Sequence, residues 1–294
     1  MGRRNAQAYA FLSPFLVFVT VLYIVPAIVT VAMAFTNLDS SFVWEFKGFD
    51  NFIRMFKDPN TLVVARNTVL FVGVTIVCVV LLDLFLAVVV TYFIQNQRVG
   101  EFFKAVLMIP MITPAVVYSV LWIWVLDASG SGLLNRIAAG LFGAAPHNWI
   151  ALYPFPVVII ATVLTSMAYG TIVFSSAIKS IPENQFKAAR VDGASEMSIV
   201  FSIILPNIRY HISFIALWEA LGLLTDYVTI LLITNGGPGI RSEVWALSAY
   251  HKAFVDQQYG FGAAISVVLI VVVMVLMLLI ARASRRQNEG GALQ

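Results

Sequence analysis

Three carboxylates, Asp83, Glu219 and Asp226, lie inside long apolar runs with no Lys or Arg at similar depth. An acid in such surroundings must be protonated, face water or meet a partner group, and it marks a functional path by default. Glu219 and Asp226 are seven residues apart. On one helix that spacing gives a shared face and about 10 Å along the axis. Thr225, Tyr227 and Thr229 surround Asp226, and the preceding apolar run adds Ser166 and Tyr169. Ionised carboxylates accept hydrogen bonds in pairs and suit vicinal hydroxyls. Aromatic faces such as Trp218 and Tyr227 suit the C–H surface of the same molecule. The expected solute path is therefore Glu219, Thr225, Asp226, Tyr227, Thr229, Ser166 and Tyr169. A sugar fits these groups, and a cationic polyamine is the alternative. Asp83 reads as an interhelical bond. His147, His211, His251 and the lone Cys78 have no company at metal-ligand spacing, so neither a metal site nor a catalytic constellation is expected. Cys78 reads as a small buried core residue.

A second polar feature runs from Lys187 to Pro206, between two apolar runs. Ser180 with Glu183 fits a capping box, and Pro182 fits a first helical turn. The pattern predicts a helix over 182–191 with Phe186, Ala189 and Val191 on one side. The small Ala188 and Ala189 allow close approach of a partner. Gly193 is placed to end the helix in a left-handed conformation. A second short helix from Ser195 then leads to Leu205-Pro206 and the next apolar run. Phe186, Lys187, Ala188, Ala189, Arg190, Asp192 and Gly193 are the candidate docking residues of this lever.

The elements that carry these groups follow from composition. Of 294 residues, 60% are hydrophobic and 11% charged, against roughly 45–50% and 25% in soluble domains. Six apolar runs, at 10–35, 68–94, 105–126, 157–178, 208–233 and 262–281, are long enough to span a bilayer as helices. The expected fold is all-α in the membrane, one domain over 1–294, with the polar segment 179–206 as a single inner loop. With both ends inside, Arg3, Arg4, Arg98, Lys104, Lys179, Lys187, Arg190, Arg209, Arg282, Arg285 and Arg286 fall on the cytoplasmic side, as the positive-inside bias expects. The pI near 9.0 then reflects topology rather than a nucleic-acid partner. Ala32-Met33-Ala34 resembles a signal-cleavage site, but the apolar stretch before it exceeds a signal core, so it reads as a retained first span. Outside, a short amphipathic helix is expected near 51–56 and another near 133–141, with a turn at Asn235-Gly236-Gly237-Pro238. An ion-coupled transporter would call for inverted repeats or broken helices, and none is read in the sequence. No Walker pattern occurs either.

The polar segment resembles the EAA loop of permease subunits in bacterial ATP-binding-cassette importers. Ala188, Ala189, Gly193, Ile203 and Leu205-Pro206 match its pattern, and Lys187 stands where Glu is usual. Gly48-Phe49-Asp50-Asn51-Phe52, Ile109-Pro110, Trp122-Ile123-Trp124, Gly132-Leu133-Leu134-Asn135 and Thr234-Asn235-Gly236-Gly237-Pro238 are similar to the carbohydrate branch, of the MalF/UgpA type. The resemblance implies the type I importer fold in a bacterial plasma (inner) membrane. It implies a second permease of the MalG/UgpE type, an extracytoplasmic solute-binding protein, and an ATPase dimer that holds ATP and Mg. No cofactor is expected in this chain. By the same resemblance, Thr225-Asp226 fall where the maltose permease touches its sugar.

Overall fold

The computed structural model describes residues 2–291, with side chains over 11–278. Nearly all of it is helical, with one isolated bridge, Thr36 to Phe46. Five helices are long and apolar enough to cross a membrane: Phe11–Met33, Pro59–Phe93, Pro154–Lys179, Glu196–Thr225 and Tyr259–Leu278. A sixth span is present if the bent pair Gln97–Ile112 and Ala115–Val125 counts as one. The side chains of Arg3, Arg4, Arg282, Arg285 and Arg286, which carried part of the charge argument, lie outside the described residues.

Two boundaries differ from the hydropathy reading. The second span starts at Pro59, not at residue 68, so Arg66 stands on its helix rather than in a loop. Asp58 turns the chain by accepting from the Asn60 N–H at 2.8 Å, and Pro59 fits the first helical position, where its missing N–H costs nothing. The third run, 105–126, is broken. Its two helices meet at 94° across Thr113 and Pro114. Pro114 disfavours the helical region for the residue before it, and Thr113 is extended at φ −73°, ψ 128°.

The chain divides into two compact units, residues 1–62 with 248–294, and residues 63–247. In the first, the apolar window of Phe11–Met33 buries none of its residues within the chain. The helix Asp50–Lys57 packs on Tyr259–Gly291. Its Asn51 amide donates to the carbonyls of Ala34 (3.0 Å) and Thr36 (2.7 Å). Gly260 packs so closely on the chain that a Cβ there would sit 2.3 Å from the Thr36 carbonyl oxygen.

In the second unit Pro154–Lys179 is central, with half of its apolar window buried. It packs against Gln97–Ile112, Leu205–Thr225 and Val228–Ile233. Buried Ala161, Ala168, Gly170 and Ala177 let neighbouring backbones approach, which is how helices associate where no hydrophobic force distinguishes lipid from protein. Phe174, Ile204, Ile208 and Ile215 fill the core towards the lever end. Cys78, expected in the core, is exposed on this chain.

Candidate functional site

The lever forms as helix Glu183–Val191, then Gly193 at φ +80°, then helix Glu196–Ile199. Gly193 has the left-handed conformation that glycine adopts without penalty. Around it the N–H of Ala194 reaches the Ala189 carbonyl at 2.9 Å and that of Gly193 reaches Arg190 at 3.1 Å, closing the helix as a Schellman-type end does. Ser195 caps the next helix, its hydroxyl accepting from the Ser198 N–H at 3.2 Å. From Glu196 the helix continues through a π turn, Val200–Ile204, into Leu205–Thr225. No loop separates lever from span.

Two local expectations fail. The capping box is not made: the Ser180 hydroxyl donates back to the Ala177 carbonyl at 2.7 Å, and Pro182 is the N-cap. Pro182 holds an extended ψ of 130° that starts the helix without a side-chain cap. Val191 does not share the inner face and is 87% exposed, since five residues of helix turn it well away from Phe186. Phe186 and Ala189 are half-buried, whereas Lys187, Ala188, Arg190, Asp192 and Gly193 are exposed. Lys187 pairs with Glu183 at 3.1 Å, one turn away on the same helix.

The seat of the lever was not visible in the sequence. The Phe186 ring lies 5.6 Å from that of Tyr92, on the last turn of the second span. Arg190 donates to Glu196 (Nε, 3.3 Å) and to the Tyr92 hydroxyl (Nη2, 3.2 Å), and the Tyr92 hydroxyl bonds the Glu196 carboxylate. Asn207 reaches Gln185 at 3.4 Å. The lever is thus tied to the second and fifth spans while its other side is open.

The predicted path residues fall into two groups. Glu219 is buried and lies close to the Ser166 hydroxyl. Tyr169 packs beside Trp218, ring centroids 6.1 Å apart, and Phe214 stacks on Trp218 at 6.4 Å. Glu219, Ser166 and Tyr169 therefore come together, across the fourth and fifth spans. Thr225, Asp226, Tyr227 and Thr229 do not join them. The helix ends at Thr225, and Asp226 is extended at ψ 120°, so the common helix face expected for Glu219 and Asp226 is not formed. Asp226 Oδ1 instead accepts from the N–H groups of Val228 (3.0 Å) and Thr229 (3.4 Å) and starts the short helix Val228–Ile233. Thr225 donates its hydroxyl to the carbonyls of Leu221 and Gly222. Because the helical fifth span begins at Glu196 rather than near 208, Glu219 lies beyond its middle and Asp226 at its far end. Asp83 is fully buried and accepts from the Thr171 hydroxyl at 3.1 Å. It is seated against Gly170, where a Cβ would lie 2.0 Å from its Oδ2.

Comparison with known proteins accounts for this arrangement. Residues 83–289 match the family model described as the binding-protein-dependent transport system inner membrane component. A probable ABC transporter permease, YurN of Bacillus subtilis, is 31% identical over 89% of this chain and 90% of its own length. The diacetylchitobiose uptake system permease NgcF of Streptomyces coelicolor is 28% identical over 77% of this chain and 67% of its own. In crystal structure, a chain of a bacterial alginate ABC transporter, in complex with an alginate pentasaccharide-bound periplasmic protein, has the same fold, with a TM-score of 0.84, 20% identity and coverage of 97% and 96%. This chain belongs to the inner membrane components of binding-protein-dependent transport systems.

Proposed function

We propose that this chain is one of two permease subunits of an ATP-driven importer that moves a sugar or oligosaccharide from an extracytoplasmic binding protein into the cytoplasm across a bacterial inner membrane. One observation carries the reading: a polar helix, Glu183–Val191, stands on the ends of two spans with Lys187, Ala188 and Val191 exposed. In this reading both termini and the segment 179–206 are cytoplasmic, and a separate ATPase dimer, which binds ATP and Mg, docks on that open side. Closure of the dimer pushes the lever. The push passes round the Gly193 bend into Glu196–Thr225, which is continuous up to Asp226. The companion permease, of the MalG/UgpE type, completes the cavity.

Support for a sugar comes from chemistry and from relatives. Glu219 and Ser166 supply acceptors and a donor beside the faces of Tyr169 and Trp218, and relatives are named for diacetylchitobiose uptake and alginate import. Thr225, Asp226, Tyr227 and Thr229 stand nearer the outer end, where solute enters from the binding protein.

The test is reconstitution of this chain with its companion permease, ATPase and binding protein in vesicles. Uptake is expected only with ATP inside the ATPase compartment, and Lys187→Cys is expected to cross-link to the ATPase. Uptake driven by an ion gradient with no ATPase present would end the reading. Titrating the binding protein with sugars and with polyamines fixes the solute class, and Asp226→Ala is expected to slow uptake while the complex still assembles.

A further inference from the structure

At the lever end of the second unit, a cavity of about 260 Å³ opens among the end of the second span, the start of the third and the end of the fourth. Thr91, Gln95, Gln97, Glu101, Lys104 and Lys179 line it. Lys104 is a lysine with its side chain only 10% exposed, and its ammonium donates to Glu101 Oε1 at 3.0 Å. Lys179 donates to the same oxygen at 2.8 Å. Two cations on one carboxylate leave one positive charge in surplus. An ammonium carries three donors, so donors remain here beyond those that Glu101 takes. The Thr91 hydroxyl is buried in the same wall with no hydrogen-bond partner, and a group of that kind in a native protein calls for an explanation.

The surroundings specify the ligand further. Phe93, Phe102 and Phe103, on the turns that form the cavity, are 41%, 64% and 46% exposed. Exposed phenylalanines on the same helical turns as a basic pocket, at the end of membrane spans, suit a molecule with an anionic head and hydrocarbon tails. A soluble anion would use the donors and leave the phenylalanines idle. The volume admits a phosphate head group and is too small for an oligosaccharide.

We propose that this cavity binds the phosphate of an anionic phospholipid of the inner leaflet, with Lys104 and Lys179 as donors and the acyl chains along Phe93, Phe102 and Phe103. Thr91 immediately precedes Tyr92, which braces the lever. Lipid in the cavity therefore firms the turn on which the lever rests. The site requires that this end lies at the membrane surface, and it stands whatever solute is carried.

Native mass spectrometry of the chain, purified with the subunits that accompany it, tests this in nanodiscs of phosphatidylcholine with or without phosphatidylglycerol. The wild type is expected to retain phosphatidylglycerol. Lys179→Gln, at a half-exposed position, is expected to lower retention about fivefold, the worth of one basic residue near an anionic surface. Glu101→Gln, which removes the internal anion, is expected to raise it. Thermal melts in plain phosphatidylcholine verify that both variants fold. Equal retention in the wild type and Lys179→Gln overturns the proposal. So does protection by inorganic phosphate in detergent without any preference for phosphatidylglycerol, which would mark a soluble-anion site.

Discussion

Two polar inserts interrupt the apolar chain of the second unit, and they are built in opposite ways. The insert between the third and fourth spans is tied to itself. Asn135 is 2% exposed and donates to the carbonyls of Asp127, Ser129 and His147 at 2.9–3.1 Å. Its own oxygen accepts from the His147 N–H and from the Trp149 indole at 2.7 Å. The insert between the fourth and fifth spans has no such hub. Its helix is held by one half-buried ring, one solvent-facing trio, Tyr92, Arg190 and Glu196, and the bond from Asn207 to Gln185, and most of its side chains are exposed. A loop that must keep its shape buries an amide that reads its own backbone. A lever that must be gripped by another protein leaves its surface open and fastens only its base.

Breaking the buried hub has the largest expected effect. Asn135→Leu strands three carbonyls, one backbone N–H and an indole N–H. Each buried group left unpaired costs about 1–3 kcal/mol, so the variant is expected to melt many degrees lower or fail to accumulate. Fluorescence-detected size exclusion after a heating series reads this directly, and a melting curve matching the wild type would show that the hub is not what holds the loop. The matching change on the lever is Ala189→Trp. Ala189 is half-buried on the side of the helix that carries Phe186, so an indole there is expected to displace the helix from Phe186 and Tyr92. The permease should still fold, with spans intact, but capture of the ATPase should fall at least tenfold in a pull-down. Normal capture would mean that the lever does not need its seat.

The contrast was only partly legible in the sequence. Hydropathy finds the five helices long and apolar enough to cross a membrane, because length and apolarity are local. Gly193 and Ser195 betray the lever's bend for the same reason: each acts on neighbours within a few residues. Gly132-Leu133-Leu134-Asn135 is recognisable as a pattern, yet its reason, a side chain reading carbonyls up to twelve residues away, emerges only in the fold. The brace between Tyr92 and Glu196 joins residues 104 apart in sequence, and no periodicity points to it. The bend at Thr113 had its signal in Pro114, but a run of apolar residues gives no direction of travel, so composition alone reads it as one straight span. The break at Asp226 is harder still, since the residue that ends one helix also caps the next and no Pro or Gly marks the spot.

Loosening the brace without unseating the helix sharpens the comparison at a smaller scale. Glu196→Gln keeps an acceptor for Tyr92 and Arg190 but removes the charge. Exposed pairs are worth about 0.2–1 kcal/mol, so melting is expected to stay within a few degrees. Coupling should suffer more than stability. The expected signature is ATP hydrolysis that continues while solute moved per ATP drops about two- to fivefold. Unaltered stoichiometry would reduce the trio to decoration.

The smallest effect concerns the tied loop in acid. Asp127 accepts from the hydroxyl and the N–H of Ser129, and the hydroxyl bond, with the backbone bond behind it, holds its carboxyl below the ordinary value. A carboxylate whose pKa is lower folded than unfolded stabilises the fold above its unfolded pKa, near 3.9, and that contribution fades as pH falls through the lower, folded value. Protection of residues 127–132 from hydrogen exchange, corrected for the intrinsic rate, should therefore be flat from neutral pH to about 5 and decline below 4. In Asp127→Ala the protection should be lower throughout, and its decline below pH 4 should vanish. The lever turn at Asp192 contains no such hydroxyl bond among the described residues and serves as the reference segment. If the two segments lost protection in parallel, acid would be acting on the spans beneath both and not on the Asp127 turn.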